Sequence, residues 1–298
     1  MANPWIKAIR LRTLPLAWAT LTMGAVLAHM DDAFSWTVYI FSVLTAFALQ
    51  ILSNLANDYG DAMSGIDGDN REGPSRTMQS GLITHKQMRN AIILMVLISM
   101  TLGVFFILVA IPQTMERVFF LALGIFSIAA AISYTMGKNP YGYSGWGDLY
   151  VLIFFGWVGV GGSYYLFAKS LNLDVFLPAT TLGLMAVAVL NVNNIRDIES
   201  DKEAGKFSLP VRMGRTVAVV YHACLHVGAL LSVEVFGILR DFVNLQWVFL
   251  LIVPLLILNW IGVKRNTKAE KIEPFLKQMA ITTLLFVVLF LVGNVRWL

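Results

Sequence analysis

Long apolar runs and short polar breaks alternate along the whole chain. Nine runs stand out, at residues 14–30, 34–56, 91–111, 117–136, 147–168, 175–192, 217–237, 245–263 and 279–295. Each is long enough to cross a hydrocarbon core of about 30 Å as a helix. The pattern therefore predicts an all-α integral membrane protein of nine transmembrane helices, built as one domain over residues 1–298. Trp5, Trp36, Trp146, Trp247, Trp260 and Trp297 fall near the predicted ends, where interfacial aromatic anchors belong.

Two of the polar breaks are long, residues 57–90 and 193–216, and both fall on the same side of the predicted bundle. Function is to be sought there. With the N-terminus inside, that side holds 18 of the 22 Lys and Arg, and the other keeps only Arg117, Lys169, Arg240 and Arg296. The positive-inside bias then sets a cytoplasmic N-terminus, an outer C-terminus and acidic motifs facing the cytoplasm. The implied location is the bacterial inner membrane.

Composition agrees with this reading. Of the 298 residues, 57% are hydrophobic and 13% charged, against about 25% charged in soluble domains, and the mean hydropathy is +0.70. The net charge of +4 does not point to nucleic acid, because the basic residues sit in membrane-flanking loops. The single cysteine, Cys224, excludes a disulfide framework and reads as a small buried hydrophobe. Lys7, Arg10 and Arg12 before an apolar run resemble a secretory signal. Pro15 at a helix start and the eight runs that follow favour an uncleaved first span.

The candidate chemistry lies where two apolar runs end. After the second run come Asn54, Asn57, Asp58, Asp61 and, further on, Asp67. After the sixth come Asn193, Asn194, Arg196, Asp197 and Asp201. Asp58 and Asp61 are three apart and Asp197 and Asp201 four, so each pair shares one face of a continuing helix. Crowded carboxylates repel, and Mg2+, a hard cation that takes oxygen ligands and bridges to phosphate, relieves the repulsion. Loops between membrane helices are often acidic, and Asp69, Glu72, Glu199 and Glu203 read as solvated surface. The two Asn-led pairs at helix ends do not, since carboxylates at such depth are costly and usually functional. The echo between the two segments, about 139 residues apart, suggests that they face one another across a shared cavity.

Cations for an anionic ligand lie on the same side: Arg12, Arg76, Lys138, Arg196, Lys202, Lys206 and Arg212. Tyr134, Tyr141 and Tyr143, amid turn-forming Gly and Pro, read equally as an aromatic wall beside a carbocation or as an interfacial belt. Asp148 is a further carboxylate near them. His222 and His226, one turn apart, lack a third ligand and read as interhelical packing.

Taken together, the residues 50–61 (QILSNLANDYGD), 73–81 (GPSRTMQSG), 139–143 (NPYGY) and 193–214 resemble the UbiA-type intramembrane prenyltransferases, and within them the branch acting on 1,4-dihydroxy-2-naphthoate. The resemblance implies a ring of nine helices around a central cavity. It also implies Mg2+ at Asp58, Asp61, Asp197 and Asp201, with a polyprenyl diphosphate as donor and the naphthoate as acceptor. Asp61 or Asp67 is the candidate base. The chain departs from the family pattern at Gly65, where a third Asp is usual, and at Ser208, where Thr is usual. A different acceptor such as 4-hydroxybenzoate, or a divalent-cation transporter, are the rival readings. Transport predicts ionisable residues along the midplane, whereas these acids gather at one end.

Overall fold

The computed structural model describes residues 3–64 and 77–295, apart from the side chain of Arg12; Asp67 and Arg76 lie outside the described residues. Eight apolar helical spans of 20 to 31 residues are long enough to cross a membrane, and the 17-residue α2 (Leu14–Met30) joins them. A short α1 (Pro4–Ile9) precedes α2. α3 (Trp36–Met63), α4 (His85–Ala110) and α5 (Thr114–Ser133) follow. The fifth span is composite: α6 (Gly147–Val151), a π-helical stretch over Leu152–Gly162, and α7 (Ser163–Ala168). Then come α8 (Phe176–Arg196), the short α9 (Ile198–Glu203) and α10 (Leu209–Leu239). A 3₁₀ segment runs straight into α11 (Val253–Arg265), and α12 (Ala269–Asn294) closes the chain.

Several helices run further toward the acidic end than hydropathy suggests. α3 continues through Asp58 and Asp61 to Met63. α10 begins at Leu209 and bends at Gly214, whose φ of 76° only glycine adopts freely. α12 begins at Ala269 and carries Pro274 inside it. In each case polar side chains on the terminal turns hide a helix that the backbone nonetheless forms.

Close approach of the helices rests on small residues, as expected where lipid supplies no hydrophobic drive between helices. A Cβ at Gly156 would stand 2.6 Å from the Ala179 carbonyl oxygen, and one at Gly183 2.9 Å from that of Leu152. This is how the π-helical stretch lies against α8. π-helical turns are rare and concentrate at functional sites, and this one lines the cavity described below.

At the end remote from the acidic motifs, Arg240 at the foot of α10 donates to Asp31 at the end of α2 and to Asp174 ahead of α8. Tyr164 of α7 also donates to Asp31. Burial disfavours the charged form of Asp31, but the donors Arg240, Tyr164 and Asn172 more than offset it, and its pKa falls below the usual carboxylate value. The clasp ties four helices together. Inside the bundle His222 bonds Asn259 of α11 at 2.9 Å, and Asn259 in turn donates to the Phe275 carbonyl at 2.8 Å. Cys224, expected to be buried, is exposed on α10. An apolar side chain costs nothing against lipid, so apolar character alone does not say which way it faces.

Gly60 packs α3 on the end of α5, and a Cβ there would meet both the carbonyl oxygen and Oγ1 of Thr135 at 2.5 Å. Gly60→Ala is expected to destabilise by about 1–3 kcal/mol, the usual cost of overpacking, seen as a lowered unfolding temperature in detergent. Gly103→Ala, where the nearest atom is 4.0 Å away, is expected to leave that temperature unchanged.

Candidate active site

The two acidic segments meet at one end of a single large cavity of about 1390 Å3. Asp58 and Asp61 reach it from the last turns of α3. Asp197 and Asp201 reach it from the junction of α8 and α9. The backbone bends at Asp197, yet the Asp201 N–H still donates to the Asp197 carbonyl at 2.8 Å, which keeps both carboxylates on one side. All four residues are at most 7% exposed.

Each carboxylate has its own polar partner. Arg10 pairs with Asp58, and Thr77 donates to the other Asp58 oxygen at 3.3 Å. The Tyr143 hydroxyl donates to Asp61. Arg196 grips Asp197 with two nitrogens, at 2.6 and 2.7 Å, and reaches Glu273 of α12 with a third. Lys206 stands 2.9 Å from Asp201. Burial raises the pKa of Asp201; Lys206 opposes this, while the neighbouring charges of Asp197 and Asp61 add to it. Asp61 and Asp201, from opposite segments, are therefore close enough to feel one another.

Of the other sequence candidates, Asn57, Tyr134, Asn193, Asn194, Arg196 and Lys206 line the cavity. Asn54 does not. Its amide donates to the Ile9 carbonyl at 2.8 Å and to Thr13 at 2.9 Å, so it pins the turn that presents Arg10, whose φ of 53° is itself strained. Tyr143 is placed on Asp61 rather than on the cavity wall. The aromatic wall is made by Tyr134, Tyr141, Tyr150 and Phe154, with Tyr141 stacked on Tyr150 at 4.0 Å between ring centres. Lys138 and Lys202 are exposed away from the cavity lining. Arg212 braces two loops through the carbonyls of Phe207 and Ser144, at 3.0 Å each. Asp148 is buried and accepts from Tyr221 at 3.0 Å.

The sequence reading missed Arg10, Thr77, Glu273 and Lys277, all of which line the cavity or touch its carboxylates. α12 supplies a further cavity wall through Glu273, Lys277 and Ile281. The available signal was spacing: these three recur every four residues, a helical stripe with charge at its polar end.

Among the described residues no three His, Cys, Asp or Glu side chains close on one point as a preformed metal cage. A hard cation still fits. The donors are all oxygens, split into two pairs, and magnesium commonly takes one or two carboxylates and completes its shell with water and substrate phosphate. The buried Oδ1 of Asn194, at the cavity wall, has no hydrogen-bond donor among the described residues and is one more oxygen available to such a shell.

Membrane-spanning helices around a largely apolar cavity with an acidic, cation-rimmed mouth are the architecture of an intramembrane enzyme. The chain belongs to the UbiA prenyltransferase family, whose model matches residues 16–293. It is 45% identical over 289 residues to the 1,4-dihydroxy-2-naphthoate octaprenyltransferase of Escherichia coli, covering 97% of this chain and 94% of that one. The enzyme of the same name from Haemophilus influenzae is 42% identical over 97% and 94% of the two chains. In fold the chain is similar to a UbiA homologue from Aeropyrum pernix, with TM-score 0.71, 14% identity and 95% and 98% coverage. It is likewise similar to one from Archaeoglobus fulgidus bound to GPP and Mg2+, with TM-score 0.59, 15% identity and 96% and 99% coverage.

Were a divalent cation held at Asp201, the raised pKa of that residue would bear on its loading. A carboxylate must be deprotonated to ligate, so a raised pKa lets protons compete at higher pH than at an ordinary Asp. The magnesium concentration for half-maximal activity is expected to rise as pH is lowered from neutrality. Titrating activity against magnesium at several pH values checks this.

Proposed function

We propose that this enzyme transfers a polyprenyl group from its diphosphate to 1,4-dihydroxy-2-naphthoate with loss of carbon dioxide, giving a demethylmenaquinol in menaquinone biosynthesis. The observation that supports it best is the cavity itself: four buried, counter-charged aspartates at the mouth of an apolar, tyrosine-walled chamber. The names of its 45% and 42% identical relatives support the same acceptor.

The residues have separable roles in this reading. Arg10, Arg196 and Lys206, held in place by the aspartates, neutralise the diphosphate as the allylic C–O bond breaks and the bonding pair leaves with oxygen. Asp58, Asp61, Asp197 and Asp201 would hold magnesium, which when bound would supply further positive charge to the leaving group. The faces of Tyr134, Tyr141 and Tyr150 attract the developing carbocation, and the apolar walls keep water from capturing it. The electron-rich ring then forms the new C–C bond. When it attacks through its carboxyl-bearing carbon, departure of carbon dioxide returns the electron pair to the ring, and no proton need be removed from carbon. Asp61 or Asp67 would then serve the ring hydroxyl as a base.

The acidic end faces the cytoplasm in this reading, and the protein sits in the bacterial inner membrane with its N-terminus inside. In a Cys224→Ser background, cysteines placed at Ser64 or Thr267 are expected to react with an impermeant thiol reagent only from the cytoplasmic side. Cysteines at Ser35 or Ser170 are expected to react only from outside. The reverse pattern overturns the orientation.

The function itself is tested with purified enzyme in detergent, a polyprenyl diphosphate, magnesium and competing acceptors. Asp58→Asn, Asp61→Asn, Asp197→Asn and Asp201→Asn are each expected to fold and to lose activity by about 100-fold or more, and EDTA to abolish turnover until magnesium is restored. Near wild-type rates in any two variants overturn the site. Efficient prenylation of 4-hydroxybenzoate with the naphthoate ignored overturns the acceptor.

A further inference from the structure

The acceptor of the proposed reaction carries a carboxylate, and the cavity has to receive this anion apart from the diphosphate. Arg12, Lys138 and Arg196 are among the cations that the sequence offers for an anionic ligand. Lys138 does not line the cavity. Arg196 is fully engaged: its side chain is 2% exposed, it holds both oxygens of Asp197, and its remaining nitrogen reaches Glu273. Arg10 and Lys206 are likewise tied to Asp58 and Asp201, so three cavity cations stand directly on the acidic motifs.

Lys277 differs. It lines the same cavity from α12 and is exposed there, and it has no hydrogen bond or ion pair to any described residue. It stands one helical turn beyond Glu273 on the same face of α12, and Ala280, Ile281 and Leu284 continue that face along the cavity wall. Lys277 therefore marks the place where the polar mouth gives way to the apolar chamber. A lysine inside a membrane-spanning helix is costly and tends to mark a substrate path. Glu273 keeps Arg196 on the motif side, leaving the cation one turn deeper for a different anion.

Building on the proposed reaction, we infer that Lys277 is the acceptor-binding cation, pairing with the naphthoate carboxylate and directing the ring into the chamber while the diphosphate stays on the aspartate side. A lysine ammonium is a single point charge on a flexible stem rather than a bidentate fork. It therefore orients a carboxylate that must later leave as carbon dioxide without clamping both of its oxygens.

The test compares two acceptors that differ only in that group, 1,4-dihydroxy-2-naphthoate and 1,4-dihydroxynaphthalene, with the donor concentration varied separately. In Lys277→Ala the KM for the naphthoate is expected to rise about 10- to 100-fold, the span of one charge-assisted hydrogen bond, with the donor KM unchanged. The wild-type preference for the carboxylated acceptor, as a ratio of kcat/KM values, is expected to fall by the same factor, and Lys277→Arg to recover most of it. Should Lys277→Ala misfold, Lys277→Met, which keeps the apolar stem, serves for the same ratio. A raised donor KM, an equal loss on both acceptors, or an unchanged ratio overturns the assignment. A wild-type enzyme that leaves the naphthoate unmodified overturns the underlying reaction instead, and that result needs no variant to be seen.

Discussion

A carboxylate buried where apolar helices end must be counter-charged, and this requirement organises the molecule. Desolvation of a bare charge costs far more than a single helix contact returns. The four aspartates answer it with donors drawn from across the chain: Arg10 ahead of α2, Tyr143 from the loop before α6, Arg196 from α8 itself and Lys206 from the loop after α9. Because the donors come from so many elements, satisfying the charges also fixes how those elements are placed. Asn54 shows the dependence one step removed, since its amide holds the turn that aims Arg10.

The helices can converge on that charge cluster only if their backbones come close, and the glycine contacts supply this. Gly60 seats α3 on Thr135, and Gly156 and Gly183 seat the composite fifth span on α8. At the other end the Arg240 clasp onto Asp31 and Asp174 uses the same device, one guanidinium between two carboxylates. The chamber between the two ends is left to apolar and aromatic walls. Charged groups gather at both ends of the cavity-forming helices, which suits a chamber that holds a hydrocarbon tail and excludes water.

Much of the fold was legible in the sequence because hydrophobicity decides membrane insertion and the spans are long. The limits 14–30 and 147–168 agree with α2 and with the composite fifth span. Hydropathy places the start of α12 at 279, ten residues after its true start at 269, because Glu273 and Lys277 resemble loop residues by polarity alone. The helix is there because those side chains face a polar cavity mouth. Asp58, Asp61, Asp197 and Asp201 were legible as two phased pairs. The charged partners around them were not all legible, because Arg10 and Glu273 lie far away in sequence and nothing local says that one will meet Asp58 and the other Arg196. Tyr143 illustrates the same limit: composition marked it as aromatic, while the fold uses its hydroxyl.

The resting ion pairs also bear on how the site works. A guanidinium already gripping a buried carboxylate is desolvated and oriented before any ligand arrives, so much of the cost of ordering it is met on folding rather than on binding. Glu273 adds to the restraint, because it holds the one nitrogen of Arg196 that Asp197 does not. The same low dielectric that makes an unpaired aspartate so costly makes each pair a strong, short-range restraint. Positive charge is thereby delivered at the cavity mouth with little reorganisation, which is the condition under which charge stabilisation lowers a barrier most.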